Sequence, residues 1–400
     1  MKDKSSLRPT LAYSAVQASY WMTICAAIAF AVVHLQDLGY SNTELGLILA
    51  GGNLSGAVLG PTVSARIDRN PAAKPSVLAP VFLSAQALTL LAQLLFPVRG
   101  PVMTLAVLLQ IGFSLTVNSI NLKLYVDCLS QGHSIDFGIS RGIGSLAFVF
   151  SSIILGKLVT RFSVNILPAA GLLLCLLQLL SHMAMCRFVS YRDGREEQRE
   201  KASDLLGFFA RNRRFCVLLI GTVFLFFAHN SIFNFLINVT KNVGGDTETM
   251  GWLNGYIAAV EIPVMLLFSR LRKLADCKVL LRISFLCFIL KGTAIALAGS
   301  VPALAAAFLL QAPSFALYTA AIVPFVNEEI PFEDSAKAQS LMYTMTTVGT
   351  VLSSVISGRL FDIIPVRSVI WISVAAAFIG AVIAAASLHT GKTGIPPKNT

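Results

Sequence analysis

Apolar residues arrive along this chain in runs of about 19 to 25, divided by short polar breaks, and the pattern repeats twelve times. At about 1.5 Å of rise per residue, such a run crosses a hydrocarbon layer of about 30 Å. The predicted spans are 11–35, 45–65, 76–96, 102–129, 138–160, 165–186, 215–238, 250–269, 279–298, 302–326, 337–358 and 367–388. Lipid offers no partner to backbone N–H and C=O groups, so each span must be a helix. The expected fold is an all-α integral membrane protein of about twelve transmembrane helices. The first run, Leu11–Leu35, is too long for a signal peptide and lacks a small-residue cleavage site, so it is read as a retained span.

The spans fall into two related sets of six. LGYSNTELG (Leu38–Gly46) matches VGGDTETMG (Val243–Gly251) at an offset of 205, and Gly144–Ser145 matches Gly349–Thr350 at the same offset. Lys74 matches Lys278 at 204, and ILGKL (154–158) matches ISGRL (356–360) at 202. Four matches in one register predict two pseudo-symmetric six-helix bundles with a site at their interface. The expected division is residues 1–186, a cytoplasmic linker at 187–214 containing YRDGREEQREKASD, and residues 215–400. Glycine faces at Gly52, Gly56 and Gly60, and at Gly251 and Gly255, predict close helix contacts, either plain packing or a sliding gate.

Composition agrees with the pattern: 55% of residues are hydrophobic, 13% are charged, and the mean hydropathy is +0.73. A soluble fold carries about a quarter charged residues. The net charge of +11 first suggests nucleic acid, but its placement excludes that reading. On the twelve-span plan, 21 of the 31 Lys and Arg fall on the side of the termini and six on the other: Arg99, Lys157, Arg161, Lys241, Arg359 and Arg367. That asymmetry predicts a multi-pass protein of the cell membrane with both termini cytoplasmic. The seven cysteines lack metal or disulfide spacing and read as apolar filler.

Charged groups within a span cost about 2.5–3.5 kcal/mol each, so they need partners or a function. Asp127 and Arg141 are predicted at similar depth beside one hairpin. Glu261 and Lys291 are predicted near one level deeper in the membrane, roughly 14 and 18 Å from its edge by helical rise. Each pair is either a staple between helices or a proton-coupling element, in which the acid changes protonation as its cation moves. Glu261 is the preferred coupling acid and Asp127 the second. Polar residues in other spans are candidates to line a substrate cavity: Gln17, Tyr20, Trp21, Asn118, Asn121, His229, Asn230, Asn234, Gln311 and Tyr343.

No GxxxxGK[ST] loop is present, since the GKT at 391–393 lacks its leading glycine. No HExxH or nucleophile-elbow pattern occurs either. The chain is therefore not expected to be an enzyme, to burn ATP, or to need a cofactor or metal.

SARIDRNPAAK, after the second span, resembles the signature between helices 2 and 3 of the major facilitator superfamily. It puts Asp68, Arg69 and Lys74 at matching places of a gating loop, with Ser64 and Pro71 where glycines are usual. DFGISRGIGSLAF (Asp136–Phe148) and VEIPVMLLFSRL (Val260–Leu271) are similar to stretches of the branch containing the lactose and phenylpropionate permeases. They put Arg141 and Glu261 on that branch's arginine and glutamate. Lys291 falls where the lactose permease type has an arginine. Gln311 and Ser314 replace that type's histidine and glutamate, which argues against lactose-type coupling.

The resemblance implies alternating access and proton symport of a small organic solute, with sugars, aromatic acids and nucleosides all open. Arg141 and Lys291 would bind a carboxylate or polyol, with Tyr20 and Trp21 stacking on a ring. A uniporter, an exporter and a non-transporting membrane sensor remain alternatives. The expected partners are the solute, protons and the lipid bilayer, with the chain acting as a monomer.

Overall fold

A computed structural model describes residues 4–70, 73–188 and 205–388, with side chains from residue 7 onward. Eleven of its helices are long and apolar enough to cross a membrane. They are α1 (Leu7–Asp37), α2 (Asn42–Arg69), α3 (Pro75–Leu95), α4 (Pro101–Ser130), α5 (Phe137–Arg161), α6 (Ile166–Cys186), α7 (Arg213–Phe233), α8 (Thr247–Leu274), α9 (Cys277–Leu297), α10 (Val301–Glu329) and α12 (Val366–Ser387). The remaining spanning helix, α11 (Phe332–Ile363), is longer than most but less apolar. Its inward side carries Thr346, Thr347 and Thr350, which face a central cavity instead of lipid. Twelve crossings put the start of α1 and the end of α12 on one face, here called the terminal face.

Several helices overrun their predicted spans, α2, α8 and α11 among them, because polar turns at their ends continue the helix beyond the apolar run. Of the predicted linker 187–214, residues 189–204, with YRDGREEQREKASD, lie outside the described residues, as do Pro71 and the tail 389–400. Leu205–Arg211 is a short helix rather than free linker, and its Phe208 is buried in the second bundle's core.

The sequence repeat has a physical cause at its glycine and cap positions. Gly39 and Gly244, which are 205 residues apart, both take left-handed backbone angles, φ +81° and +82°. Each closes the turn into the next helix, a conformation that disfavours any side chain. Ser41 and Asp246 follow at the same offset as N-caps of α2 and α8. Their side chains accept from the N–H groups of Glu44 and Thr249. Gly144 packs against Gln17 and Trp21 of α1, and Gly349 against Val223 and Phe226 of α7. Each therefore lets its helix approach the bundle's first helix.

The two other matches meet each other. Gly46 of α2 touches Gly358 of α11, and Gly251 of α8 touches Gly156 of α5. These crossings form the seam between bundles at the face opposite the termini. A methyl group at Gly358 would lie 2.5 Å from the Asn42 carbonyl oxygen, and one at Gly251 would lie 2.6 Å from that of Ser152. Hydrogen bonds reinforce the same face. Asp362 accepts from Asn42 N and Nδ2 (both 3.0 Å) and from Thr43 N (2.8 Å) and Oγ1 (2.5 Å). Gln36 donates to Asn238 (2.7 Å), Asn238 to Asn42 (2.8 Å), and Ser152 to the Gly251 carbonyl (2.8 Å). Gly52, Gly56 and Gly60 pack instead on Ile111, Leu115 and Ser119 of α4, inside their own bundle. Plain packing is the right reading for them; the seam glycines are Gly46, Gly156, Gly251 and Gly358, with Gly255 of α8 also packed across the seam on Val149 and Ile153 of α5.

At the terminal face, the ion pairs among the described residues stay within bundles. Asp68 of α2 pairs with Lys123 of α4 (2.5 Å), and Arg272 of α8 pairs with Glu328 of α10. These are equivalent places in the repeat, at offsets of 204 and 205, with the charges exchanged.

Candidate functional site

Below the closed seam, both bundles line a cavity of about 500 Å³. The first bundle contributes Trp21 from α1, Asn53 from α2, Leu115 from α4, and Arg141, Ser145 and Phe148 from α5. The second contributes Phe226, His229, Asn230 and Phe233 from α7, Glu261 from α8, Phe315 from α10, and one face of α11. That face is Tyr343, Thr346, Thr347 and Thr350, spaced i, i+3, i+4 and i+7 so that all four project one way.

Arg141 is the cation of the first bundle's wall. Its guanidinium lies 4.2 Å from the Trp21 ring centroid and donates to Ser145 Oγ at 2.6 Å. Stacking on an aromatic face stabilises a guanidinium in a dry setting while leaving other N–H groups to meet a ligand. Trp21 Nε1 donates to Gln17 (3.3 Å), and Gln17 donates to Tyr13 (2.8 Å). Tyr20 is buried edge-on to Trp21 at 5.4 Å between centroids. Gln17 and Tyr20 thus hold Trp21 and do not themselves line the cavity.

The predicted pair of Asp127 and Arg141 does not form. Their depth along the hairpin is similar, but Arg141 sits on the face of α5 turned to the seam, while Asp127 is buried in the first bundle away from the cavity. The charged group Arg141 faces is Glu261, across the cavity. Two more candidates drop away from the lining. Asn118 is exposed and outside it. Asn121 is buried inside the first bundle, where Oδ1 bonds His182 Nε2 at 2.7 Å. The predicted gating loop contributes the Asp68–Lys123 pair, while Arg69 is exposed and Lys74 is the N-cap of α3.

Glu261 and Lys291 do lie at one level, but not in contact. Gln311 stands between them: its Nε2 donates to Glu261 Oε1 at 2.7 Å, and its Oε1 accepts from Lys291 Nζ at 2.8 Å. Lys291 also meets His229 Nδ1 at 3.2 Å, and the His229 ring stacks on Phe315 with centroids 4.4 Å apart. An ammonium has only protons to offer, so Nδ1 accepts and the ring proton belongs on Nε2. Lys291 and Gln311 are fully buried behind the wall that Glu261 and His229 present to the cavity. The backbone of α10 is shaped for this. Leu309–Gln311 tightens to a 3₁₀ turn and Ala312–Ala316 widens to a π turn around Pro313, re-aiming Gln311 and Phe315. Asn230 and Asn234 tie α7 to Thr350 (3.0 Å) and Ser354 (2.9 Å) of α11.

Phe148, Phe226, Phe233, Phe315 and the threonines of α11 were not among the predicted site residues. Phenylalanine in a span looks like lipid-facing bulk, so it carries no signal alone. The threonine row did carry one, a polar stripe at helical spacing in an otherwise apolar run.

With this geometry in view, comparison with known proteins places the chain. The model of the MFS_1 like family matches residues 11–372. A probable 3-phenylpropionic acid transporter of Escherichia coli is 24% identical over 314 residues, 77% of this chain and 79% of that protein. A putative sugar efflux transporter of Deinococcus radiodurans is 30% identical over 141 residues, which is 35% of this chain and 36% of that relative's length. Among solved structures, a mutant of the nucleoside transporter NupG superposes with a TM-score of 0.82 at 14% identity, covering 95% of this chain and 99% of that one. A bacterial homolog of the human lysosomal transporter Spinster, crystallised inward-facing and unoccupied, superposes at 0.70 and 12% identity, covering 97% and 98%. The two-bundle major facilitator fold expected from the sequence is thus the fold observed, and these relatives are transporters, not enzymes.

Proposed function

We propose that this chain, which belongs to the MFS_1 like family, is a proton-coupled secondary transporter of small aromatic carboxylic acids working by alternating access. The observation that carries the reading is Arg141 laid over Trp21 in a cavity walled by Phe148, Phe226, Phe233 and Phe315, with Glu261 opposite. A carboxylate would meet the free guanidinium N–H groups, and a flat ring would fit among the aromatic side chains. The phenylpropionic acid relative supports the same class.

Glu261 is the coupling acid in this reading. Unprotonated, it is the counter-charge that Arg141 faces, and it competes with an anionic substrate. Once protonated, it releases Arg141 to that substrate, so proton and anion load together. Asp127, off the cavity, has no such access. Closure at the Gly46–Gly358 and Gly156–Gly251 crossings supports reading this as the arrangement entered from the terminal face, which the positive-inside distribution makes the cytoplasmic side in this proposal. Binding occurs where both bundles contribute, so rocking one against the other exposes the same site to either side.

A second reading, a sugar or nucleoside as cargo, is favoured by the hydroxyl row of Thr346, Thr347 and Thr350 facing Asn53 and Asn230. Uptake by proteoliposomes under an imposed pH gradient decides between them. Concentration of labelled phenylpropionate-type acids, but not of nucleosides or hexoses, is the expected result. The reverse selectivity would replace the first reading with the second, and binding without flux would make the chain a sensor.

A further inference from the structure

A second cavity, of about 390 Å³, lies in the second bundle at the terminal face, remote from the transport site. Its rim carries Arg211, Arg213, Arg214 and Lys278, and its floor includes the buried side chains of Leu218 and Phe325. Two of the cations are already matched. Arg211 reaches Asp334 at 3.2 Å, and Lys278 reaches Glu329 at 2.8 Å. Arg213 and Arg214 are exposed and form no ion pair among the described residues. Among the described residues, the rim therefore holds a surplus of two guanidinium groups at the mouth of an apolar-floored crevice.

An independent feature adjoins it. The short helix Leu205–Arg211 is anchored by Phe208, which is fully buried, yet it turns Leu205 (44% exposed), Leu206 (84%) and Phe209 (40%) outward. Apolar side chains displayed beside arginines at the end of a spanning helix mark the boundary between headgroups and acyl chains. In that layer the anions at hand are phosphodiesters, and paired guanidiniums are suited to hold their oxygens.

We propose that this crevice binds one anionic phospholipid of the leaflet bordering the terminal face. Its phosphate sits on Arg213 and Arg214, its headgroup enters the cavity, and its acyl chains run into the layer that Leu205, Leu206 and Phe209 occupy. The lipid braces the entry to α7, the helix that presents His229, Asn230 and Phe233 to the transport cavity.

Native mass spectrometry of the full chain in detergent, titrated with phosphatidylglycerol or phosphatidylcholine of identical acyl chains, tests this. The expected result is preferential retention of phosphatidylglycerol, weakened about tenfold or more in the double variant Arg213→Gln, Arg214→Gln. Retention should be largely kept in Arg213→Lys, Arg214→Lys, and unchanged in Lys157→Gln, Arg161→Gln, which removes two cations from the other face. Equal retention of both lipids, or equal loss in both glutamine variants, would overturn the proposal. So would displacement of phosphatidylglycerol by millimolar inorganic phosphate, which would mark a site for soluble anions. If the glutamine variant misfolds, the lysine variant and the lipid comparison on the unmodified protein still decide the question.

Discussion

Gln311 bridges Glu261 and Lys291, its two amide atoms bonding one residue each. An amide in that position can keep both bonds in only one orientation, donor toward the acid and acceptor toward the amine. It therefore reports the state of each to the other. Because Lys291 is buried with Gln311 and His229 as its hydrogen-bond partners, loss of the amide leaves a buried cation short of an acceptor.

Replacing Glu261 with Gln is expected to abolish uphill uptake while preserving substrate exchange, since exchange needs no net proton movement. Gln311→Leu should impair both and lower stability by about 1–3 kcal/mol, the usual penalty for an unsatisfied buried polar group. Counterflow and gradient-driven uptake, measured on one proteoliposome preparation with a melting curve for each variant, separate the two effects. Full accumulation by Glu261→Gln would remove that residue from the coupling role.

Arg141→Lys retains charge but gives up the planar contact with Trp21 and the forked donors. The expected outcome is a KM for anionic substrate raised about tenfold or more, with an unchanged melting temperature. An unaltered KM would show that the carboxylate is held elsewhere.

The closed face should loosen when its contacts are spoiled. Gly358→Ala places a methyl group against the Asn42 carbonyl, and Asp362→Ala removes the acceptor for Asn42 and Thr43. Asp362 is exposed, so its loss is expected to shift the closed–open balance by about 1 kcal/mol, roughly fivefold. The clash at Gly358 should shift it further. Alkylation of a single cysteine placed at Leu115 in the cavity wall, by an impermeant reagent added at the face opposite the termini and in a background without native cysteines, should accelerate in both variants. Unchanged labelling would show that this seam is not the one that opens.

Asp246 caps α8 by accepting from Thr249 N (2.8 Å) and Oγ1 (2.7 Å). Those bonds, the backbone N–H foremost, hold its carboxyl below the ordinary aspartate range. A depressed carboxyl contributes stability above its unfolded-state pKa and loses it as pH falls through the folded-state value. Asp246→Ala should therefore cost about 1 kcal/mol at neutral pH, with the gap to the unmodified protein narrowing on acidification. Melting curves at neutral pH and near pH 3 check the sign.

Much of the architecture was legible along the chain. Hydropathy marks the spans because lipid penalises every exposed polar group, and the repeat survives where backbone geometry tolerates few residues. Gly39 and Gly244 need left-handed turns, Ser41 and Asp246 need a capping oxygen, and Gly46 and Gly358 need bare backbone. The charged residues Arg141 and Glu261 stood out for a related reason, their cost in a membrane.

Their partners were another matter. By itself the sequence determined which segments are helices, how many cross, and which polar groups demand an explanation, since these follow from local composition and helical rise. Only the tertiary structure decided that Arg141 faces Glu261 and not Asp127, that an amide separates Glu261 from Lys291, and that phenylalanines and threonines wall the cavity. Depth in the membrane follows from counting residues. The direction a side chain points depends on the rotation of each helix about its axis, which is set by packing against neighbours far away in the chain.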